Sequence, residues 1–529
     1  LYLLADKADG VYFSDGRQYV HIGKEEADTA LSDVFSSGAA LFTFGAKPFY
    51  KAARRLGFAK TQTLFDAELA AYLLKPDAKT YDVAALARSY VSGATIEGPE
   101  DLAALAVLPR LCSELYEQLC AQEMDTLFNE IELPLCEVLA DMEYEGFAVD
   151  RAGVEEFGRL LVEGIAEVTE EIYRLAGRHF NINSTRELGE VLFEELKLPA
   201  GKKTKTGYST SAEVLESIAA LHEIVPAVLE YRKLSKLAST YVTGLLKVVG
   251  EDGRVHSTFN QTETRTGRIS SSEPNVQNIP VRTKLGSEMR RFFVAREGYV
   301  LVDADYSQIE LRILAHIAED QNMLRAFNEK ADIHTETAAQ VFGLSADMVP
   351  PELRSRAKAI NFGIVYGIGA FSLSKQINVP VYEAKEYIQS YLKTYSGVAA
   401  YQHDIVEAAR RDGYVKTMFG RRREVLDIYS KNKNVRAFAE RVALNTPVQG
   451  TAADIIKLAM IRVHRRIREE GLHAKLVLQV HDELIVEARE DEAERAAVIV
   501  SEEMEHAAQL RVKLVADVHT GKNWYEAKQ

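Results

Sequence analysis

Two acidic segments of this sequence have the residue types and spacing to bind divalent cations. Asp305 follows an apolar, β-branched run over residues 299–304, which predicts a buried strand that ends at the carboxylate. Asp482 and Glu483 follow His481 between the apolar halves of KLVLQVHDELIVEA, which predicts a hairpin with acids at its tip. If Asp305 and Asp482 meet in space, the pair can hold two Mg²⁺ ions, which would activate an attacking oxygen and stabilise a leaving pyrophosphate oxygen.

A third segment, PPELRSRAKAINFGIVYGIG, predicts a helix that could clamp a triphosphate. Two prolines suit the start of this helix, and Gly367 suits its end. Residues four apart share one face of a helix, and here they are two cations followed by two aromatics: Arg354, Lys358, Phe362 and Tyr366. Cations one turn apart can bind phosphates, and the aromatic rings can stack on a base or sugar. The alternative is that the two rings belong to the core.

The elements that position the acids follow from the local pattern. After Asp305 the apolar residues recur with helical spacing, so the carboxylate stands where a strand gives way to a helix. Ser307 and Glu310 have the spacing of a capping box at the start of that helix. The structural alternatives are that Asp305 only ends a strand and that His481 and Asp482 form a plain surface turn.

The composition is that of a large acidic protein with several subdomains. A chain of 529 residues with 47% hydrophobic content is too long for one core, and three to five subdomains are expected. No apolar run is long enough for a transmembrane helix. Three cysteines without metal spacing favour a reducing cytoplasm. The chain opens inside a strand-like segment, LYLLAD, which suggests a trimmed fragment.

The charge distribution leaves a nucleic-acid partner open. The net charge of −14 argues against such a partner when taken alone, but binding depends on local fields. Basic clusters occur, and each is either a solvated face or a phosphate contact. These clusters are Lys202, Lys203 and Lys205; Arg282, Lys284, Arg290, Arg291 and Arg296; Arg354, Arg356 and Lys358; and Arg410, Arg411, Arg421, Arg422 and Arg423.

The chain begins with an α/β region and continues with mostly helical ones. Residues 1–108 alternate short strands and helices, and Asp66 is expected to cap a helix. Residues 109–250 are predicted to be helical, with Asn183 or Ser184 as a cap and a polar loop, PAGKKTKTGYSTS, that suits phosphate contact. The remaining segments predict strands and loops over 250–310, helices over 311–440, one or two long helices over 441–470 and a hairpin over 471–488.

Five segments together identify a family. DYSQIELR (305–312), the pattern of Arg354, Lys358, Tyr366 and Gly367, and QVHDE (479–483) resemble the three signature motifs of family A DNA polymerases, in the order and at the spacings of that family. TGRISSSEPNVQNIPVR (266–282) and NTPVQGTAADIIK (445–457) are further close matches. The resemblance covers essentially the whole chain, which looks like the large fragment of a bacterial member.

The resemblance implies an α/β multidomain chain with a right-hand polymerase fold of palm, fingers and thumb, preceded by a 3′–5′ exonuclease-like α/β domain. The implied division is a vestigial exonuclease-like domain over 1–108, a linker helix and thumb over 109–250, the first part of the palm over 251–310, the fingers over 311–440 and the second part of the palm over 441–529.

The resemblance also implies a reaction. The protein would transfer a deoxynucleotidyl group from a dNTP to a primer 3′-OH and release pyrophosphate, with two Mg²⁺ ions as cofactors. Its partners would be primer-template DNA and deoxynucleoside triphosphates, without a membrane. A monomer in the bacterial cytoplasm, associated with the nucleoid, is expected.

Each site residue takes its role from the motif position that it matches. The catalytic set is Asp305, Asp482, Glu483 and Lys358, with Asp305 and Asp482 as metal ligands. The nucleotide-binding set is Arg354, Lys358, Phe362, Tyr366, Glu310, His334 and Gln308, in which Glu310 is a steric gate against ribonucleotides. The DNA-binding set is Arg268 at the minor groove of the primer end, Arg441, Asn445 and Gln449 on the template side, Gln479 and His481 on the primer side, Lys203, Lys205, Ser209 and Thr210 in the thumb loop, and Asn278. No more specific place on the DNA is implied for Asn278.

One departure from the family concerns proofreading. A 3′–5′ exonuclease requires a D-x-E on an early strand and further aspartates on helices, and residues 1–108 lack that set. The lone D-x-E, Asp66 to Glu68, stands at a later helix start, and the family's KYD-like position reads AKP (46–48). Proofreading is therefore expected to be absent.

Three other functions compete with DNA synthesis. A metal-dependent nuclease also uses clustered acids, but it has no need of the triphosphate clamp. A catalytically inactive DNA-binding scaffold would not need intact Asp305, Asp482 and Lys358. A single-subunit RNA polymerase shares these residues, but Glu310 and Phe362 favour deoxyribonucleotides.

Overall fold

The computed structural model describes residues 1–5, 10–58, 61–93, 100–200, 203–204, 207–279 and 284–528. Within these ranges, no helix is both long enough and apolar enough to cross a membrane. The largest hydrophobic core surrounds a central antiparallel sheet, and smaller cores lie beneath an N-terminal sheet and among the helices near residues 172–228.

A five-stranded sheet with flanking helices forms the first part of the chain. Its strands are β1 (Tyr2–Ala5), β2 (Val11–Ser14), β3 (Tyr19–Ile22), β4 (Leu41–Thr43) and β5 (Thr63–Asp66), and its helices are α1 (Lys24–Ser37), α2 (Lys47–Arg55), α3 (Ala67–Leu74), α4 (Val83–Tyr90) and α5 (Glu100–Ala121). The strand order is β3-β2-β1-β4-β5. The predicted alternation of short strands and helices is confirmed. Asp66 caps α3 as predicted, because its side chain accepts hydrogen bonds from the N–H groups of Glu68 and Leu69.

Helices dominate the next part of the chain. They are α6 (Asp125–Leu127), α7 (Leu133–Glu145), α8 (Arg151–Ala176), α9 (Thr185–Gly189), α10 (Ala212–Ser217), α11 (Ile224–Lys236) and α12 (Gly244–Val248), with short strands β6 (Phe147–Ala148), β7 (Lys203–Thr204) and β8 (Gly207–Tyr208). The long helix α8 packs along α11. Ser184 is the cap of α9, since its side chain accepts a hydrogen bond from the N–H of Glu187, and this was one of the two predicted caps.

Short strands lead into the strand that carries Asp305. The elements are β9 (Arg254–Val255), β10 (Thr258–Asn260), β11 (Ser270–Ser272), α13 (Lys284–Glu288), β12 (Tyr299–Tyr306) and α14 (Ile309–Ile317). β12 continues two residues past the predicted end at Ala304. The reason is tertiary: Asp305 and Tyr306 keep their pairing with neighbouring strands, which outweighs the change in local hydrophobic pattern.

The following helices confirm the helical prediction for this region. They are α15 (Gln321–Asn328), α16 (Ile333–Phe342), α17 (Pro351–Val365), α18 (Ala370–Gln376), α19 (Val381–Thr394), α20 (Ser396–Asp412) and α21 (Lys433–Glu469), interrupted by the hairpin of β13 (Tyr414–Lys416) and β14 (Arg422–Glu424). α17 begins at Pro351, as the two prolines predict, and Gly367 follows its end with φ 66°. α21 is one helix that contains Pro447.

The central sheet is completed by the last part of the chain. Its elements are β15 (Ala474–Val480), β16 (Glu483–Arg489), α22 (Ala493–Glu505) and β17 (Ala516–Gly521). The strand order is β15-β16-β12-β17, and all neighbours are antiparallel. The predicted hairpin is β15–β16, with His481 and Asp482 at its tip. β12 is held at both edges by its pairing with β16 and β17, and helices α14, α21 and α22 pack against the sheet or one another.

A buried ionic cluster lies between the start of α7, the β13–β14 hairpin and α21. Arg421 donates hydrogen bonds to Asp454 and Glu132, and Lys457 donates to Glu132 over 2.6 Å. All four side chains are buried. Arg421 is therefore neither a solvated charge nor a phosphate contact, although its basic segment left both possibilities open. Buried charges are retained only when they are paired, so this cluster joins α7 and the β13–β14 hairpin to α21.

Candidate active site

The register of the central sheet brings the predicted acids together. Asp305 on β12 lies opposite Glu483 on β16, and the N–H of Tyr306 donates a 3.0 Å hydrogen bond to the carbonyl of Asp482. The three carboxylates thus gather at one end of the sheet. His481 has φ 53°, a left-handed conformation that side chains other than glycine rarely adopt. The hairpin tip is therefore strained beside the acids, as is common at functional sites.

The Asp482 carboxyl group lies in an acidic and partly desolvated environment. Its pKa is raised from 3.8 to about 7, first by burial and then by the carboxylates of Glu310 and Asp305, against the opposing guanidinium of Arg268. A carboxyl group with this pKa holds a proton near neutrality and releases it when a cation arrives. The position is suited to binding a cation.

A second acidic pair lies deeper in the sheet, next to Asp305. Burial and the neighbouring Glu483 carboxylate raise the pKa of Asp303 to about 9. The pKa of Glu483 is lowered in spite of its burial, because Asp303 and the ammonium group of Lys528 stabilise the carboxylate. The indole N–H of Trp524 also donates a 2.6 Å hydrogen bond to Glu483 Oε1. Glu483 is thus an ionised, fixed member of the site.

Three residues of this environment were not found from the sequence. They are Asp303, Trp524 and Lys528. Lys528 Nζ donates to Asp305 Oδ2 at 3.0 Å and to Glu483 Oε2 at 2.7 Å. No local pattern signals this contact, because β17 must first return alongside β12. The alternation of acidic and apolar residues in the strand could have drawn attention to Asp303 alone.

Glu310 is held by hydrogen bonds to two distant residues rather than by a capping box. Arg268 Nη2 donates to Glu310 Oε1 at 2.7 Å, and the Tyr366 hydroxyl donates to Oε2 at 2.6 Å. The predicted capping box is wrong: α14 begins at Ile309, and its cap is Gln308, with φ 54° and no side-chain hydrogen bond. Glu310 is consequently the second residue of the helix instead of the third, and its carboxylate is buried against Arg268 and Tyr366.

The face of α17 carries the predicted cations and aromatics. Arg354 and Lys358 are exposed, and the Arg354 guanidinium donates two hydrogen bonds to Asp332 Oδ2, at 2.9 and 2.5 Å. The Phe362 ring lies 5.9 Å from the ring of His334, and Tyr366 ends the helix. This face of α17 is therefore partly exposed and carries two cations. A helix face that only packed into the core, which was the alternative prediction, would be apolar and buried.

His334 lies buried beneath this face. Its pKa is lowered to about 4, because burial disfavours the charged imidazolium and the nearby cations Lys358 and Arg354 add to that effect, although Asp332 opposes it. The Asn361 amide donates a 3.0 Å hydrogen bond to His334 Nδ1 if that nitrogen is unprotonated. The neutral ring then carries its proton on Nε2, where it can act as a donor.

The residues predicted to contact the template, Arg441, Asn445 and Gln449, lie four apart along α21. Asn445 Nδ2 donates to Gln449 Oε1 at 3.3 Å, and Asn445 Oδ1 is buried without a hydrogen-bond partner among the described residues. Arg441 packs next to the end of α17: a Cβ atom on Gly367 would lie 3.2 Å from Arg441 Cγ and 2.9 Å from a methyl group of Leu444. Glycine is required at this close contact, where the end of α17 meets α21.

Two residues predicted to contact DNA, Gln479 and Asn278, lie in β15 and in the short 3-10 helix Val276–Asn278. Gln479 is buried, accepts a 3.2 Å hydrogen bond from Gln277 Nε2 and donates to the carbonyl of His481 at 2.5 Å. Asn278 is exposed, and its carbonyl accepts a 2.9 Å hydrogen bond from Tyr241. Asn278 lines a cleft of about 530 Å³ with residues of α11 and α12.

Comparison with known proteins places the chain in a family. The model of DNA polymerase family A matches residues 151–526, which is more than half of the chain. The chain belongs to DNA polymerase family A. Its fold is the right-hand polymerase fold with an α/β domain before it, as the sequence predicts.

Individual relatives of this family A chain are bacterial. It is 49% identical over 486 residues to DNA polymerase I of Bacillus caldotenax, covering 88% of this chain and 55% of the relative. It is 47% identical over 468 residues to the thermostable DNA polymerase I of Thermus aquaticus, with coverages of 88% and 55%. The chain thus spans about half the length of these relatives.

A solved structure matches over nearly the full chain. It is the POL domain of Pol1 from M. smegmatis in complex with DNA primer-template and dNTP, with a TM-score of 0.91 and 38% identity. The match covers 98% of this chain and 93% of the other.

The donor set of this family A site fits Mg²⁺ ions that share their shell with a substrate. Among the described residues, no group of three or more His, Cys, Asp or Glu is arranged to hold a metal ion. Mg²⁺ does not require such a cage, because it takes one or two carboxylates and completes its shell with water and substrate phosphates. Asp305 is 43% exposed and lies close to Asp482. The Asp305 carboxylate already accepts a hydrogen bond from one cation, the ammonium group of Lys528.

The polar loop of the helical region is described only in part. Lys205 lies outside the described residues, and Lys203 is described only as backbone in β7. Ser209 is partly exposed, and its hydroxyl lies 3.5 Å from that of Ser211. Thr210 is buried, and Arg232 Nη2 donates to its hydroxyl at 3.0 Å. Thr210 therefore faces the protein interior here, unlike the exposed phosphate contact expected from the loop's polarity.

Proposed function

We propose that this protein catalyses template-directed DNA synthesis, transferring a deoxynucleotidyl group from a dNTP to a primer 3′-OH and releasing pyrophosphate. The observation that carries the proposal is the hydrogen-bonded chain of Arg268, Glu310 and Tyr366 beside Asp482. This chain links a residue at the expected primer end, a gate for the sugar and the end of the phosphate-binding helix. The structural relative described with primer-template and dNTP supports the same partners.

The acids perform the chemistry in this proposal. Asp305 and Asp482 would hold two Mg²⁺ ions, and Glu483 fixes the edge of the site through its hydrogen bonds with Trp524 and Lys528. When bound, the ions would supply activation of the attacking oxygen and stabilisation of the leaving oxygen. The raised pKa of Asp482 means that a proton leaves this carboxyl group before it binds a cation.

The nucleotide is held by α17 and its surroundings. Arg354 and Lys358 bind the triphosphate, and Lys358 also stabilises the charge that develops on it. Phe362 packs on the sugar and base, and Tyr366 lies near the templating base. His334 donates from its neutral ring to a phosphate. Gln308 completes this set at the junction between β12 and α14.

The DNA contacts surround the acids. Arg268 contacts the minor groove near the primer end, Gln479 and His481 contact the primer, and the exposed Asn278 also contacts DNA. Arg441, Asn445 and Gln449 contact the template. The Oδ1 atom of Asn445, which has no hydrogen-bond partner among the described residues, can accept a hydrogen bond from a base or a water. The thumb loop contacts duplex phosphates through Lys203, Lys205, Ser209 and Thr210. Because the Thr210 side chain is buried, it has to turn outward to make such a contact.

The domain roles complete the proposal. Residues 1–108 form a vestigial exonuclease-like domain, 109–250 the linker and thumb, 251–310 and 441–529 the palm, and 311–440 the fingers. The protein acts as a monomer at the nucleoid in the bacterial cytoplasm, in line with the bacterial source of its relatives.

A primer-extension assay tests the proposal. A primed DNA template with Mg²⁺ and dNTPs should be extended, whereas ribonucleotides should be poor substrates. Asp305→Asn and Asp482→Asn should each slow the chemical step by orders of magnitude and leave DNA binding largely intact. Extension by either variant at close to the wild-type rate would refute the assignment. Use of ribonucleotides as readily as dNTPs would favour an RNA polymerase. Shortening of the primer would favour a nuclease.

A further inference from the structure

One ammonium group faces three carboxylates at the active site. Lys528 Nζ lies 3.0 Å from Asp305 Oδ2, 2.7 Å from Glu483 Oε2 and 3.6 Å from Asp303 Oδ1. Glu483 and Asp303 are almost fully buried, whereas Asp305 keeps 43% of its side chain exposed. Lys528 therefore covers the inner side of the cluster, and only the Asp305 carboxylate faces both the lysine and the open cleft.

The position of Lys528 is fixed by its own segment. Trp524 is fully buried, its backbone N–H donates to the carbonyl of Phe293 at 2.9 Å, and the guanidinium of Arg290 lies 3.9 Å from its ring centroid. The chain then turns back so closely that a Cβ atom on Gly521 would lie 2.5 Å from the Ala527 nitrogen. A lysine on so constrained a turn is a built part of the site rather than a mobile surface charge.

We propose that Lys528 is a resident counter-cation of the active site, which holds the Asp305 and Glu483 carboxylates together in the metal-free protein and competes with the divalent cation for Asp305. The ammonium group of Lys528 and a divalent cation are both positive and would share the Asp305 carboxylate. They repel each other, so each weakens the binding of the other to that carboxylate. Lys528 is a positioning residue, because it acts on the ligands and not on the reacting atoms. The inference rests on the proposed function, in which Asp305 is a metal ligand.

The single tryptophan of the chain provides the measurement. Trp524 is the only tryptophan, and its indole N–H binds Glu483 directly, so its fluorescence reports on the carboxylate cluster. The protein is titrated with MnCl₂ without DNA or nucleotides, and binding is followed by Trp524 emission and by loss of the free-ion Mn²⁺ EPR signal. The variants are Lys528→Met, which removes the charge, and Lys528→Arg, which keeps it. Lys522→Met is the matched control, because Lys522 pairs with Glu490 in the same segment.

Competition predicts a specific pattern of affinities. Lys528→Met should bind Mn²⁺ about fivefold or more tightly than wild type, and its metal-free emission should differ because Glu483 has lost a partner. Lys528→Arg and Lys522→Met should stay close to wild type. Unchanged or weaker Mn²⁺ binding by Lys528→Met with intact folding would overturn the proposal, as would equal tightening by Lys528→Arg.

The folding of Lys528→Met and the proposed polymerase activity are checked separately. If Lys528→Met does not give a cooperative melting transition, Lys528→Gln, which keeps a hydrogen-bond donor for Glu483, carries the same expectation. Primer extension is measured on the same preparations. If Lys528→Met binds Mn²⁺ more tightly than wild type but the wild-type protein extends no primer, the proposed function is refuted and the counter-cation role of Lys528 is kept. If the wild type extends the primer normally but Lys528→Met has an unchanged Mn²⁺ affinity, the counter-cation role is refuted and the proposed function is kept.

Discussion

The hydroxyl group of Tyr366 donates a 2.6 Å hydrogen bond to Oε2 of Glu310. Tyr366 stands at the end of the helix that carries the cationic face, and Glu310 stands five residues after Asp305. Because Arg268 binds the other oxygen of the same carboxylate, Glu310 is held in one orientation. A steric gate needs this rigidity, since a side chain that could swing away would not exclude a ribose 2′-OH.

The first prediction concerns sugar selection. Glu310→Ala should raise the ratio of kcat/KM for a ribonucleotide to that for its deoxy analogue by orders of magnitude, because the obstructing side chain is gone. Tyr366→Phe removes only the hydrogen bond and should raise the ratio less. Ser307→Ala is the control, since Ser307 does not cap α14 in the structure. An unchanged ratio in Glu310→Ala would remove the gate from the proposal.

The second prediction concerns pH. The folded protein keeps a proton on Asp482 up to about pH 7, whereas the unfolded chain loses it near the ordinary value of 3.8. Between these values the folded state binds more protons, so this group's contribution to stability is present at low pH and is lost as the pH rises through 7. In EDTA, Asp482→Asn should gain stability over wild type between pH 5 and pH 8, by more than the about 0.5 kcal/mol of a surface substitution.

The metal affinity should change in the opposite direction with pH. Because a cation binds the ionised carboxylate, wild-type Mn²⁺ affinity should rise as the pH rises through 7. The measurement is a set of Mn²⁺ titrations and melting curves at each pH. A stability difference between Asp482→Asn and wild type that stays constant from pH 5 to pH 8 would show that Asp482 does not hold this proton.

The third prediction concerns the cationic face of α17. Lys358→Ala and Arg354→Ala should each lower kcat/KM for the dNTP by about 10²–10³, because a charge that stabilises the transition state is removed. DNA affinity should change little. Arg356→Ala is the control, since residue 356 is about half a turn around the helix. A large loss of DNA binding with unchanged nucleotide KM would place this face on the duplex instead.

The fourth prediction is that proofreading is absent. The Asp66 carboxylate accepts hydrogen bonds from the N–H groups of Gly45, Ala46 and Glu68, at 3.0, 2.6 and 2.9 Å, so it serves the local fold and is not free to bind a cation. A mispaired primer incubated with Mg²⁺ and no nucleotides should stay at full length. Stepwise shortening that persists after repurification and disappears in Asp66→Asn would contradict this reading.

The fifth prediction concerns the buried ionic cluster. The pKa of Glu132 is lowered to about 2, because Lys457 and Arg421 outweigh the effect of its burial. Glu132→Gln leaves these two cations with one carboxylate, that of Asp454, and should lower the free energy of unfolding by about 3–5 kcal/mol. Urea denaturation measures the loss. Glu130→Gln, on the exposed side of the same segment, should be nearly neutral, and equal effects of the two variants would argue against the cluster.

The sequence by itself determined the local elements of the site and the family. The apolar run before Asp305, the apolar halves around His481 and Asp482, and the four-residue spacing from Arg354 to Tyr366 are short-range patterns. Such patterns set strand and helix geometry directly, because side chains alternate along a strand and recur every 3.6 residues in a helix. For the same reason the hairpin, the start of α17 and the caps Asp66 and Ser184 were predictable.

Tertiary structure alone decided what the side chains contact. Ser307 and Glu310 have capping-box spacing, yet pairing extends β12 to Tyr306 and helix α14 starts one residue later than a box requires. The carboxylate of Glu310 then forms hydrogen bonds to two residues that lie 42 and 56 positions away. Lys528 meets Asp305 across 223 positions. Contacts over such separations depend on strand order and register, and no local periodicity encodes them.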